Sequence, residues 1–290
     1  MTAPASTTPG WARGRLTPVP RDGNCLLNAF LASDPLLVRD RVFGPGDRVR
    51  NDAERAAYTW LSDPARVRAD LASSAGAGAT GRAVLTATRD FVADYLAAHR
   101  DRLPVEVVVQ YRGSVTGGLA VDVALMEEAD LVTRLTGLGV PVPDQTDFAT
   151  RGELLGELRD LVLRHTPLTR RELTALRTAV LDWGNRWNSD VGDVFPQALA
   201  HAFGVRMDIA WSRLLPGGRT DQRGLTRGIG PEDATWEIEL FYSARVERPS
   251  GAPRHGTEHY DGSDARPRFV PATGRPAGPV DRGPATRPAG

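Results

Sequence analysis

Arg21-Asp22-Gly23-Asn24-Cys25-Leu26-Leu27-Asn28-Ala29-Phe30 holds the only cysteine of the chain. Asp22-Gly23-Asn24 is a tight polar turn, because Asp and Asn fold back on their own backbone and Gly relaxes the steric limits. The apolar residues that follow, Leu26, Leu27, Ala29, Phe30 and Leu31, are spaced to bury one face of a helix. Ser33-Asp34-Pro35 then ends that helix. Cys25 therefore falls on the first turn, where backbone N–H groups lack partners and the helix dipole is positive. A thiol in that setting is favoured as thiolate, its nucleophilic form.

A cysteine nucleophile needs a base within hydrogen-bond reach and a third group to orient that base. Five histidines are available. His99 and His201 lie within predicted helices, and His165 lies near a helix end, where a cation suits the dipole. His255 sits in a Gly/Pro loop. His259 follows two predicted strands and has Asp261 two residues on. In an extended segment the two share a face, so Asp261 can fix the imidazole tautomer through Nδ1 and leave Nε2 for Cys25.

The length and 41% hydrophobic content suit one large domain or two small ones. Zero net charge, from 36 basic and 36 acidic residues, argues against a general binder of nucleic acid or membrane surfaces. A lone cysteine forbids an internal disulfide and leaves no Cys-pair zinc site, so the reading calls for no metal and no cofactor. Met1 to Gly10 lacks the basic-then-apolar layout of a signal peptide, and no run is long enough to span a bilayer. The expected location is the cytoplasm, or export without a recognisable signal. All 36 basic residues are arginine. A GC-rich genome accounts for this; the sharper alternative is selection against lysine acylation such as ubiquitin attachment.

Residues 1–15 read as a flexible lead, and Leu16 to Pro20 as an extended entry to the Asp22 turn. From Asn51 to about Leu181 the pattern is mostly helical, with Val105 to Tyr111 a possible strand. Thr169 and Glu172 have capping-box spacing. Pro196 and Gly204 bracket a helix, Val205, Met207, Ile209 and Trp211 alternate as a strand, and residues 213–231 read as a Gly/Arg-rich loop. Trp236, Ile238, Leu240 and Tyr242 mark one face of a second strand. Residues 266–290 form a Pro/Gly/Arg-rich tail, disordered over 271–290. Gly76-Ala77-Gly78-Ala79-Thr80-Gly81 matches a dinucleotide-binding glycine pattern, but residues 64–74 before it read as helix where that motif needs a strand. It is read as a loop between helices. Trp183, Trp187 and Trp211 are read as core or core-edge residues, and the arginines of 219–227 as a solvated loop.

Asp22-Gly23-Asn24-Cys25-Leu26 with a late His259-Tyr260-Asp261 resembles the ovarian-tumour (OTU) cysteine protease family. Phe195-Pro196-Gln197-Ala198-Leu199-Ala200, Phe203-Gly204-Val205 and Trp236 to Tyr242 are similar to that family's helix-then-strand and to the strand before its catalytic histidine. The likeness covers residues 16–34 and 190–263, not 35–189. At Leu27-Asn28 many members have an aromatic and then Arg. The resemblance implies an α+β, papain-like domain over residues 16–265, with a small sheet flanked by helices and a mostly helical insert over 35–189. It implies that Cys25 attacks an acyl carbon, His259 acts as base, Asp261 orients His259 and Asp22 shapes the turn. Backbone N–H groups of the turn, with Gly23 and Asn24, would meet the oxyanion. The implied substrate is a ubiquitin or ubiquitin-like conjugate, cleaved by a deubiquitinase-like effector or toxin of bacterial type; substrate-binding residues and oligomeric state stay unassigned. Alternatives are another cysteine acyl-transfer enzyme or toxin protease with a non-ubiquitin target, and a catalytically silent binding module.

Overall fold

The structure, a computed structural model, describes residues 12–20, 22–46, 51–73, 77–100, 103–114, 119–186, 194–214, 220–221, 226–245 and 259–270. The protein is α+β. Its helices are α1 (Cys25–Ser33), α2 (Pro35–Val38), α3 (Asp52–Leu61), α4 (Pro64–Ala72), α5 (Gly78–Ala98), α6 (Val105–Ser114), α7 (Leu119–Leu125), α8 (Glu128–Gly137), α9 (Arg151–His165), α10 (Arg170–Leu181), α11 (Trp183–Arg186) and α12 (Val194–Phe203). A π-helical turn, Arg39–Phe43, follows α2.

The strands are β1 (Leu16–Thr17), β2 (Val205–Leu214), β3 (Thr220–Asp221), β4 (Thr226–Ile229), β5 (Trp236–Arg245), β6 (His259–Ser263) and β7 (Arg268–Phe269). They form one mixed sheet in the order β1-β6-β5-β2-β3, with β4 also on β2 and β7 also on β5. β2 and β5 run parallel from Val205↔Trp236 to Leu214↔Arg245. β6 is antiparallel to β5, and β1 to β6, so the first strand of the chain lies beside one of the last.

α1 packs on β6 and β5. The approach is close because Gly262 has no side chain: a Cβ there would lie 2.6 Å from Ala32 Cβ and 3.1 Å from the Ala29 carbonyl oxygen. All nine residues of α1 are buried, not the single face that the spacing predicts. α4 covers another side, with Arg68 Nε donating to the Ala32 carbonyl at 2.8 Å. A helix apolar all round belongs inside a core. Phe203 of α12 meets Phe30 of α1 and Phe91 of α5 at 4.9 and 5.0 Å between ring centroids, tying the three helices together.

Residues 119–165 add a second, smaller core of Val123, Leu131, Leu135, Leu154, Leu158 and Val162. Arg112 of α6 joins it to the main body. Its guanidinium donates to the carbonyls of Leu163, of Thr166 (2.6 Å) and of Pro167 (3.0 Å), at the C-terminal end of α9, and pairs with Glu172.

Several expectations change. Val105 to Tyr111 is helical: the β-branched run suggests a strand, but Val107, Val108 and Tyr111 are buried at helical spacing after Pro104. Two short strands, β3 and β4, lie within the segment read as the 213–231 loop, because β2 offers them a paired edge. The flexible lead does not reach residue 15. Arg13 and Gly14 N–H groups donate to Glu239, and Arg15 N–H to Asp264. Likewise the tail reading begins too early at 266, since Arg268–Phe269 pairs with β5. Residues 271–290, His255, Trp187 and the Trp211 side chain fall outside what is described. Gly78–Gly81 opens α5 rather than forming a loop, and α4 precedes it, as the reading against a dinucleotide site requires. Trp183 is buried and stacked on Phe195, a core residue as read.

Candidate active site

Cys25 is the first residue of α1. Gly23 holds φ +77°, a left-handed conformation that lets the chain turn sharply into the helix. Asp22 ties the turn: its Oδ1 accepts from the Asn24 N–H at 3.0 Å and from Asn28 Nδ2 at 3.2 Å. Asn28 is buried on α1, one helical turn beyond Asn24, so turn and helix are joined by a side-chain bridge. Asn24 precedes the helix, but its side chain caps no backbone N–H. The first turn of α1 is therefore not capped by the Asn24 side chain, and its N–H groups, with the helix dipole, suit a developing negative charge.

The Asn24 N–H is already committed to Asp22, which removes it from the oxyanion donors that the resemblance implies. The Asn24 side chain lies instead against α11: a Cβ on Gly184 would come 2.9 Å from Asn24 Oδ1. That oxygen is buried and, among the described residues, has no hydrogen-bond partner.

His259 opens β6 and Asp261 lies two residues on, so strand alternation turns both side chains the same way. His259 Nε2 is 3.0 Å from Asp261 Oδ1. The ring also lies close enough to Cys25 for the two to interact electrostatically. Because Nε2 serves Asp261, Nδ1 is the nitrogen left for the sulfur. The predicted roles of the two ring nitrogens are thus exchanged: orientation within the sheet, invisible in a local pattern, decides which nitrogen points where. Asp261 Oδ1 accepts a second hydrogen bond, 3.2 Å, from the backbone N–H of Val19.

Cys25, His259 and Asp261 are 7%, 3% and 5% exposed, so the triad is screened from water and its charges act at short range. Burial pulls the His259 pKa down. Hydrogen bonds to Asp261 and Cys25, and the charges of both, outweigh it and lift the pKa to about 9. At neutral pH the ring is a cation between the Asp261 carboxylate and the Cys25 sulfur.

The other described histidines, His99, His165 and His201, stand apart from this group. His99 closes α5, its ring stacked on Tyr95, and His165 is the last residue of α9. His201 on α12 pairs with Glu106, burial holding its pKa down. Among the described residues no group of three or more His, Cys, Asp or Glu side chains could hold a metal ion, and no helix is long and apolar enough to cross a membrane.

The supporting residues Val19, Asn28, Gly184 and Gly262 were not found from sequence. Asn28 alone left a signal there, a polar residue within an apolar helical run. Comparison with family models, curated proteins and solved structures gives no match.

Proposed function

We propose that the chain is a cysteine hydrolase acting by acyl transfer. The observation that carries this reading is one buried imidazole bonded to Asp261 and interacting electrostatically with the buried Cys25 sulfur. With the proton on His259, the Cys25 sulfur is the nucleophile. It bonds to the substrate carbonyl carbon, and the carbonyl electrons move to oxygen, beside the first-turn N–H groups of α1. His259 gives its proton to the leaving nitrogen as the C–N bond breaks, and the amine departs. Water then attacks the thioester, His259 taking its proton. The C–S bond breaks, the acid leaves, and the thiolate–imidazolium pair is restored. Asp261 holds the ring in register and offsets its charge through both steps.

Within that class, the particular activity we infer is deubiquitinase-like hydrolysis of an isopeptide or peptide bond at the C-terminus of a ubiquitin-like protein. What supports it is the resemblance of Asp22 to Leu26 and His259 to Asp261 to OTU proteases, together with α1, which carries Cys25, packing on β6, which carries His259. A fluorogenic substrate carrying the ubiquitin C-terminus tests it. Turnover abolished by Cys25→Ala is expected. Absent turnover, with Cys25 still labelled rapidly by iodoacetamide, would keep the thiol hydrolase and reject the ubiquitin-like substrate.

A further inference from the structure

The carboxylate that orients His259 is held by the far end of the chain. Residues 13–19 cross the sheet as a strap fixed at three points. At the first, Glu239, 6% exposed, accepts from the N–H groups of Arg13 (2.9 Å) and Gly14 (3.0 Å) and from Ser263 Oγ (2.7 Å). The Arg13 guanidinium adds pairs to Glu237 at 3.2 Å and Asp208 at 3.9 Å. At the second, Leu16 and Thr17 pair with Ser263 and Gly262 of β6. At the third, the Val19 N–H donates to Asp261 Oδ1, the same oxygen that His259 Nε2 contacts. Pro18 and Pro20 flank Val19, and neither has an N–H of its own, so Val19 supplies the only backbone donor across those three positions.

We propose that Val19 is a positioning residue for catalysis: its backbone N–H, aimed by the strap, fixes the rotamer of Asp261 and through it the imidazole that serves Cys25. This inference rests on the cysteine-hydrolase reading. An Asp261 free to rotate would lose its line to Nε2, and a misplacement of about 1 Å in such a group can cost on the order of a hundredfold in rate.

The test compares two variants of the full chain. Val19→Pro deletes the donor and retains an extended backbone; Val19→Ala keeps the donor and removes only methyl groups. The readout is the rate of Cys25 alkylation by iodoacetamide from pH 5 to 10, with melting temperature measured alongside. Val19→Pro is expected to slow alkylation at pH 7 by about tenfold or more and to alter its pH profile, whereas Val19→Ala keeps the wild-type profile. Identical profiles for the two variants would overturn the proposal. Should Val19→Pro fail to fold, Arg13→Ala loosens the strap from its buried acidic anchor. It is expected to slow alkylation severalfold at neutral pH, and an unchanged rate would overturn the proposal equally. His259→Ala separates the two claims. If it leaves alkylation untouched, the hydrolase reading fails; if it slows alkylation while Val19→Pro matches Val19→Ala, only the strap fails.

Discussion

His259 binds its proton far more tightly in the fold than it would in an unfolded chain, from an ordinary value of 6.5 to about 9. A pKa raised by folding means that the folded state holds more protons between those values. The stabilisation is fully present below pH 6.5 and is lost as pH rises through about 9. Urea unfolding of wild type and His259→Ala should therefore differ most near pH 6, by on the order of 3 kcal/mol, and converge by pH 10. A gap that stays constant across that range would mean that the ring is neutral in the fold. At this scale Cys25, His259 and Asp261 were legible because each chemical demand leaves a residue type behind: one thiol, and one histidine with an acid two positions on. The ring's orientation and the Val19 N–H were not. The first depends on how β6 lies against α1, and the second is a main-chain group whose sequence carries no mark of it.

The contact between α1 and β6 is where sequence elements become a site. Gly262 is the feature that sets their separation. Gly262→Ala would push a methyl group to 2.6 Å from Ala32 Cβ, so the strand must back away from the helix. The expected cost is about 1–3 kcal/mol of stability, with a larger relative loss of Cys25 alkylation rate because His259 opens the displaced strand. A melting temperature and alkylation rate both equal to wild type would show that the interface yields without moving the ring. Elements bounded by local chemistry were legible: α1 stops at Asp34-Pro35, α10 starts in the Thr169–Glu172 capping box, and α12 ends at Gly204 with φ +65°. α6 was misread because three successive valines favour a strand locally, while the burial of Val107, Val108 and Tyr111 against the core favours a helix. β3 and β4 went unseen because a two- or four-residue strand takes its definition from the edge it joins.

In the molecule two apolar cores are bridged by the Arg112 side chain. Arg112 is 9% exposed, and burial holds its pKa below the usual guanidinium value despite Glu172. Replacing it by Met preserves much of the bulk but leaves the carbonyls of Leu163, Thr166 and Pro167 without their donor. Arg112→Met is expected to cost about 2–4 kcal/mol and to raise amide exchange in α7–α9 before the sheet is affected. Uniform exchange in both parts would show that the cores unfold as one unit regardless of this link. The helical nature of residues 51–181 was legible from periodicity. Its division into a main and a lesser core was not, since periodicity says which face is apolar and nothing about which neighbour covers it.

β1 and β6, laid side by side although they come from opposite regions of the chain, also set a clock for biosynthesis. A nascent chain that has emerged only through β5 carries the sulfur without its imidazole, and its strap has no final strand to grip. The pairing of Cys25 with His259 and Asp261 therefore waits until β6 has emerged, and a fragment released before that strand lacks both partners.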